Sequence, residues 1–159
     1  STNEIALIVI GKTDAGYFVE AINDIKNRLT HYIPFEMEYT GYKEREETSS
    51  EAQQKEKEGE LILKALQPGD YLVLLDEKGK EFTSMQFSTY LEKKMHTVPK
   101  RLVFVVGGPY GFSEAVYKAA SEKISLSKMT FSHQMIRLIF IEQIYRAMTI
   151  LNNEPYHHE

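Results

Sequence analysis

The sequence predicts an α/β fold with a mainly parallel sheet flanked by helices. Two segments, 71–75 and 102–106, are almost continuously apolar, which is typical of strands covered on both faces in a parallel sheet. Strand-like segments alternate along the chain with segments whose apolar residues have helical spacing. The chain has 159 residues, 42% of them hydrophobic, and no repeat or linker, so we expect one domain over residues 1–159.

The first part of the chain is predicted to form a strand, a helix and a second strand. Residues 4–10 are a β-branched run that Gly11 ends, which indicates a buried strand. Asp14 is a suitable N-cap for a helix that runs to about Tyr32. Residues 35–39 alternate between apolar and polar side chains, as expected of a strand at the edge of the sheet.

The middle of the chain is predicted to add a helix, a buried strand and another helix. Residues 41–58 are dense in charge and poor in apolar residues, which indicates a solvated loop followed by the exposed start of a helix. The apolar face of that helix begins at Leu61. The apolar strand at 71–75 is followed by a predicted turn at 76–79, and Ser84 is the predicted cap of the next helix.

The last third is predicted to contain two strands, a short helix and a long helix. The apolar strand at 102–106 leads into a glycine-rich turn at 107–111. Ser113 opens a short helix, residues 124–126 form a short strand, and a long helix occupies roughly 132–151.

The composition excludes several kinds of protein and site. The chain has no Cys, which excludes disulfides, thiolate metal sites and cysteine nucleophiles. The absence of disulfides is compatible with the reducing cytoplasm, where we expect the protein. No apolar run approaches the roughly 18–20 residues of a membrane span, so we expect no membrane partner. Residues 1–3 lead directly into a strand-like segment, so no secretory leader is expected.

The charge of the chain is unevenly distributed. A net charge of −4 argues against a generic basic nucleic-acid binder. Residues 1–96 carry 12 Lys and Arg against 18 Asp and Glu, a net charge of −6, whereas residues 97–159 carry 7 against 5, a net charge of +2. A polyanionic partner is therefore expected to bind the C-terminal third.

Three strand ends in this sequence are candidates for a binding site. Ligands of open α/β sheets bind beyond the carboxyl ends of the strands. The segments at those ends are Leu75-Asp76, Gly107-Gly108 and residues 125–130. The two glycines would let the backbone approach a ligand closely, although an ordinary strand-to-helix turn is the alternative.

Motifs for several other chemistries are absent. The glycines after residue 106 do not have the dinucleotide-binding spacing, and no Gly-Lys-Ser/Thr follows a glycine-rich loop, so hydride transfer and nucleotide hydrolysis lack support. There is no Gly-x-Ser-x-Gly or His-Glu-x-x-His, and the adjacent His157 and His158 lack metal-ligand spacing. We therefore predict no metal site.

The long C-terminal helix carries more apolar surface than one core-facing stripe requires. Residues 135–141 are apolar except for Arg137, and the apolar surface continues to Leu151. This pattern predicts burial in the core together with a subunit interface. Arg137 is costly among apolar neighbours unless it is partnered, either in a buried salt bridge or at a functional site. Glu142 and Arg146 share a helix face, and a surface or interface ion pair is the simpler explanation for them.

Several segments together carry a family resemblance that covers essentially the whole chain. They are the residues 107–111, 125–133, 137, 142–147 and 155–158, with Ile10-Gly11-Lys12 and Lys57-Glu58-Gly59 further upstream. They resemble the RlmH family of SPOUT-class methyltransferases, which act on bacterial large-subunit ribosomal RNA. The sequence departs from the family at Ser132, where Pro is common, and at His158, where Lys or Arg often occurs.

The resemblance implies a fold, a reaction and partners. The fold is a trefoil-knotted α/β domain, here with the knot in about residues 100–151 and a C-terminal tail at 152–159. The family binds S-adenosylmethionine in the knot, works as a homodimer and methylates N3 of a pseudouridine in the 23S rRNA of the ribosome. Two alternatives are a non-catalytic ribosome-binding or assembly factor of the same fold and a SPOUT methyltransferase of transfer RNA.

The resemblance also assigns candidate site residues. The expected cofactor contacts are Leu75, Gly107, Gly108, Ser127, Lys128, Met129, Thr130, Phe131 and Ser132. The uridine imide is a weak acid, so its nitrogen must lose a proton before or during attack. The candidate catalytic residues are His157, His133, Arg137 and Tyr156, with either histidine as the base. The candidate RNA contacts are Arg137, Arg146, His157 and His158.

Overall fold

The computed structural model describes residues 1–41 and 50–159, which contain a sheet of five parallel strands. The strands are Glu4–Ile10 (β1), Phe35–Thr40 (β2), Tyr71–Glu81 (β3), Arg101–Val106 (β4) and Glu122–Ser125 (β5). The helices are Gly16–Leu29 (α1), Glu51–Ala65 (α2), Ser84–Thr97 (α3), Glu114–Ala119 (α4) and His133–Leu151 (α5). The strand order is β2-β1-β4-β3-β5, which confirms the α/β fold with a parallel sheet.

Helices cover both faces of the sheet and create two cores. On one face, α1, α3 and α5 pack against side chains such as Leu7 and Phe104. The ring of Phe104 lies 4.9 Å from the ring of Phe140 in α5. On the other face, α2 and α4 pack against the alternate side chains, with Ile62 of α2 and Val116 of α4 at the centre. Every residue of β4 is buried, as its unbroken apolar sequence predicts.

Two predicted helix caps differ from the structure. The helix α1 starts at Gly16, and Ala15 rather than Asp14 is its N-cap, without a side-chain hydrogen bond. The cap of α3 is Thr83 rather than Ser84, because Thr83 and Gln86 form a reciprocal capping box. Of the charged segment at 41–58, residues 42–49 lie outside the described residues, and the helix that follows begins at Glu51 with exposed side chains, as predicted.

The turn predicted at 76–79 is wrong, because β3 continues to Glu81. The register of β3 against β5 shifts between Leu75 and Lys80, so the intervening residues bulge out of the ladder. A Cβ atom at Gly79 would lie 2.5 Å from the backbone nitrogen of Ile124, so only glycine permits this close approach. Pairing with β5 therefore extends the strand through residues that are locally typical of a turn.

No helix within the described residues is long and apolar enough to cross a membrane. The trefoil knot stays a prediction, because strand order alone does not record how the chain threads through itself.

A buried arginine fixes the amino-terminal edge of the sheet. Arg101, which opens β4, is only 4% exposed. Its Nε and Nη2 atoms donate to the two oxygens of Asp70 at 3.1 and 2.9 Å, and its Nη1 donates to Glu38. Nη2 also donates to the carbonyl of Ala65 at 3.3 Å. One guanidinium thus joins the start of β4 to β2, to the end of α2 and to the turn before β3.

We predict that Asp70→Ala lowers the free energy of unfolding by about 3 kcal/mol, because it leaves the buried guanidinium with only one carboxylate. Urea unfolding at constant m-value measures the change. Asp24→Ala, which removes the exposed ion pair with Arg28, is the matched control and should change stability by less than about 0.5 kcal/mol. Equal effects of the two variants would contradict the structural role assigned to Arg101.

Candidate functional site

A cleft of about 1090 Å³ lies at the carboxyl edge of the sheet. The last paired residues of two neighbouring interior strands, Leu75 of β3 and Val106 of β4, form part of its wall. The segments that follow β4 and β5 form further walls, together with the first turn of α5. The three strand ends singled out in the sequence therefore meet in one cavity, where ligands of open α/β sheets bind.

The glycine segment after β4 is shaped by its protein neighbours. A Cβ atom at Gly108 would lie 2.2 Å from Oε1 of Glu58, and one at Gly107 would lie 2.9 Å from the ring of Phe112. A side chain at either position would therefore have to displace Glu58 or Phe112. Both glycines line the cleft, and their close approach to a ligand stays a prediction.

Side-chain hydrogen bonds order the loop between β5 and α5. Ser125 donates to the carbonyl of Ser127 at 3.0 Å, and Oγ of Ser127 accepts from the backbone of Met129 at 2.9 Å. Oγ of Ser132 accepts from the backbone of Met135 at 3.2 Å and is the N-cap of α5. At position 132, where the resembled family commonly has Pro, this chain thus gains a cap that Pro lacks.

The cleft collects most of the expected cofactor contacts. Those that line it are Leu75, Gly107, Gly108, Ser127, Met129, Thr130 and Phe131. Lys128 does not line it: its side chain is 87% exposed and lies 4.0 Å from Glu81. Ser132 faces the helix it caps. His133, a candidate catalytic residue, also lines the cleft.

The sequence predicted Leu75-Asp76 of β3 near the site, but it did not predict that the start of α2 and the residues of β3 after Asp76 line the cleft. Ser50, Glu51, Ala52 and Lys55 line it from the start of α2, a segment interpreted as solvated. Asp76, Glu77 and Lys78 line it from the bulge of β3. The hydroxyl of Tyr117 in α4 donates to Asp76, and burial together with this hydrogen bond raises the pKa of Tyr117 to about 12. Tertiary contacts between distant parts of the chain bring these residues to the cleft, and local sequence patterns do not indicate such contacts.

Arg137 lies away from the cleft, under the loop that follows β1. It is 2% exposed and donates to the carbonyl of Ile10 at 2.6 Å and to Oγ1 of Thr13 at 3.2 Å. Burial lowers the pKa of Arg137, and its Nε atom has no hydrogen-bond partner. Its described partners are a hydroxyl and a backbone carbonyl rather than a carboxylate, and its roles in catalysis and RNA contact stay predictions.

The C-terminal tail folds back onto the second half of α5. Arg146 bonds Glu142 at 2.7 Å and lies 4.7 Å from the centre of the Tyr156 ring. The hydroxyl of Tyr156 donates to Glu142 at 3.2 Å. Burial, followed by the neighbouring Glu142, raises the pKa of Tyr156. Nη1 of Arg146 lies 3.0 Å from Nδ1 of His157. We call these four residues the tail cluster.

The geometry of the tail cluster defines the tautomer of His157. A guanidinium has no acceptor, so Nδ1 of His157 must accept the hydrogen bond from Arg146. Nε2 is then the donor nitrogen of the ring. His158 is exposed at the end of the chain.

The cleft and the tail cluster occupy successive parts of α5. His133 and Ile136 line the cleft, whereas Glu142 and Arg146 lie between six and thirteen residues further along the same helix. At a rise of 1.5 Å per residue, these separations are about 9 to 20 Å along the helix axis. No residue of the tail cluster lines the cleft.

Across residues 1–41 and 50–159, no group of three or more His, Asp or Glu side chains could hold a metal ion.

Comparison with known proteins places this chain among methyltransferases. The family model described as "Predicted SPOUT methyltransferase" matches residues 4–157. A protein named Ribosomal RNA large subunit methyltransferase H from Parabacteroides distasonis is 90% identical over 156 residues, which cover 98% of this chain and 99% of that protein. Proteins of the same name from Phocaeicola vulgatus and Bacteroides thetaiotaomicron are 63% and 64% identical, and cover 98% and 96% of this chain and 99% and 98% of their own lengths.

We predict that Gly108→Val weakens binding of S-adenosylmethionine at least tenfold while the chain still folds. The new side chain would displace the Glu58 carboxylate, the end of a side chain, and with it the loop that lines the cleft. Titration calorimetry measures the affinity and thermal unfolding checks the fold. Gly16→Val is the control, because nothing lies within 4 Å of its Cβ position. Unchanged affinity in Gly108→Val would place the cofactor elsewhere.

Proposed function

This chain belongs to the SPOUT methyltransferase family, and on that premise we propose that it transfers a methyl group from S-adenosylmethionine to N3 of a pseudouridine in 23S rRNA. The 90% identity to a ribosomal RNA large subunit methyltransferase H carries the proposal. The cleft supports it, because it brings together all the expected cofactor contacts except Lys128 and Ser132. We place the reaction in the cytoplasm, on the ribosome.

The residues of the cleft suit S-adenosylmethionine. The volume of about 1090 Å³ is near the upper end of the range for small-molecule sites, and the walls include the apolar Leu75, Val106 and Phe112. A carboxylate oxygen of Glu58 behind Gly108 is buried without a hydrogen-bond partner, which fits a cationic ligand. When bound, the sulfonium supplies a methyl group to a nucleophile without a metal. Leu75, Gly107, Gly108 and residues 127–131 would hold it.

The protein must remove a proton from the target nitrogen and stabilise the resulting charge. His133 lines the cleft at the exposed start of α5, so we assign proton removal to His133. Nε2 of His157 is a donor in the tail cluster, so we assign to His157 a hydrogen bond to the imidate oxygen. The exposed ring of Tyr156 can stack on the flipped base, and Arg146 and His158 can contact RNA phosphates. We propose for Arg137 only that it positions the loop after β1.

The separation of the tail cluster from the cleft supports a homodimer. Within one chain the tail cluster lies further along α5 and none of its residues lines the cleft, so we infer that a single copy does not assemble the two groups around one base. A second copy can bring its tail cluster to the cleft of the first. Several apolar side chains of α5 remain partly exposed and are available for such an interface: Leu138, Ile139, Tyr145, Ile150 and Leu151. We further propose that residues 1–159 form one methyltransferase domain with its knot in about 100–151.

We expect the protein to methylate ribosomes from a strain that lacks the modification, and mass mapping should find the methyl group on a pseudouridine of 23S rRNA. Deleting residues 156–159 should leave S-adenosylmethionine binding and dimer mass unchanged and reduce methyl transfer more than tenfold, because Tyr156 and His157 contact side chains of α5 and do not line the cleft. His157→Ala should reproduce much of the loss, whereas His31→Ala at the end of α1 should not.

Three results would redirect this proposal. Methylation of transfer RNA instead of ribosomes would establish the alternative substrate. Absence of S-adenosylmethionine binding would favour a non-catalytic ribosome-binding factor. A truncated protein that methylates at the parental rate would show that the tail has no part in the reaction.

We predict that the protein is a dimer at micromolar concentration, because several apolar side chains of α5 remain partly exposed and a second copy would cover them. Light scattering coupled to size exclusion measures the mass. A monomer mass at 10-fold higher concentration would contradict both the interface and the composite site.

A further inference from the structure

Glu58 is a buried carboxylate directly behind the cofactor cleft. It lies in the middle of α2 and is 5% exposed. Its carboxylate occupies the space into which a side chain at Gly108 would project, because a Cβ atom there would lie 2.2, 2.7 and 2.7 Å from its Oε1, Cδ and Oε2 atoms. Gly108 itself lines the cleft. Only the backbone of one residue therefore separates this carboxylate from the cavity.

The hydrogen bonding of Glu58 is incomplete. Oε2 accepts from Nε2 of Gln54 at 2.8 Å, whereas Oε1 is buried and has no hydrogen-bond partner. An unmatched buried carboxylate oxygen is costly, so a protein that retains one needs a compensating positive charge or donor.

The backbone around Glu58 holds the carboxylate in place. A Cβ atom at the next residue, Gly59, would lie 2.4 Å from Oγ of Ser113, the cap of α4. The helix α2 is therefore seated closely against α4 at the position beside Glu58. Because α2 cannot move away without losing this contact, the carboxylate remains against Gly108.

Glu58 differs from the other charges of the cleft in its exposure to water. Glu51, Glu77 and Lys78 line the cleft as exposed side chains, and Lys55, Asp76 and the exposed His133 complete the set. Exposed charges of both signs are screened by water and salt, whereas a buried charge is screened far less. Lys55 and Asp76 are half-buried, and Glu58 is the most deeply buried of the described charges near the cleft, so water screens its charge least.

We propose that Glu58 is a specificity determinant that favours the cationic methyl donor over the neutral product. The proposal rests on the proposed function. During transfer, the sulfur–methyl bond breaks and its electron pair stays on sulfur, while the methyl group forms a bond to the deprotonated N3. The positive charge on sulfur is lost in this step, and S-adenosylhomocysteine is a neutral thioether at that atom. A fixed negative charge behind Gly108 attracts the donor more than the product and so promotes exchange of product for donor.

The test compares the affinities of the two ligands in charge-removing variants. Titration calorimetry with S-adenosylmethionine and S-adenosylhomocysteine is carried out on the parental dimer, Glu58→Gln and Glu58→Ala. Both variants should bind S-adenosylmethionine about tenfold more weakly and S-adenosylhomocysteine within twofold of the parent, since only the first ligand carries the sulfonium. Glu58→Asp, which keeps the charge, should keep the parental ratio of affinities. Glu60→Gln removes an exposed charge from the same helix and is the matched control.

The outcomes separate a charge effect from a structural one. Thermal unfolding identifies any variant that does not fold. Because Glu58→Gln and Glu58→Ala are both neutral but differ in size, the test can still be made if one of them fails to fold. An equal loss of affinity for both ligands would show that Glu58 only supports the loop, and would overturn this inference while leaving the proposed function intact. Failure of the parental protein to bind S-adenosylmethionine would overturn the proposed function itself, and this inference with it.

Discussion

The complete burial of β4 is the constraint on which the rest of this structure depends. A strand with no exposed residue must have neighbours on both edges and helices on both faces, and β1, β3 and the two helical layers meet that requirement. Arg101 fixes its first residue through Asp70 and Glu38. The other end of the strand therefore emerges at one defined place, and the cleft forms there.

Most elements of the fold could be predicted from local sequence because each carries its own signal. The β-branched and apolar runs of β1 and β4 and the spacing of apolar residues in α1 and α5 are such signals, and Ser113 was correctly identified as a cap. The errors occur where local and distant interactions compete. Residues 76–79 are typical of a turn, yet pairing with β5 across Gly79 keeps them in β3. Thr83 displaced Ser84 as a cap because Gln86 could complete the capping box with it.

The candidate site was predicted in outline, since the carboxyl ends of parallel strands meet at one edge. Its detail depends on residues far apart in the chain. The start of α2 joins the cleft through tertiary contacts that no window of sequence records. Glu58 did leave a signal, because it is spaced four and seven residues before Ile62 and Ala65 and so shares the apolar face of α2. A carboxylate on an apolar face, followed by glycine, indicates a buried charge with a close neighbour. The position of Arg137, by contrast, could not be told from its apolar surroundings alone.

The continuous helix between the cleft and the tail cluster acts as a molecular ruler. Adding one residue between His133 and Glu142 would advance the tail by 1.5 Å and turn it by about 100° around the axis, so the tail residues would face another direction. Single insertions or deletions in this stretch are therefore disfavoured even at positions whose side chains touch nothing of importance. Under the proposed function, the number of residues in α5 fixes where the tail lies relative to the cleft, independently of most of their side chains.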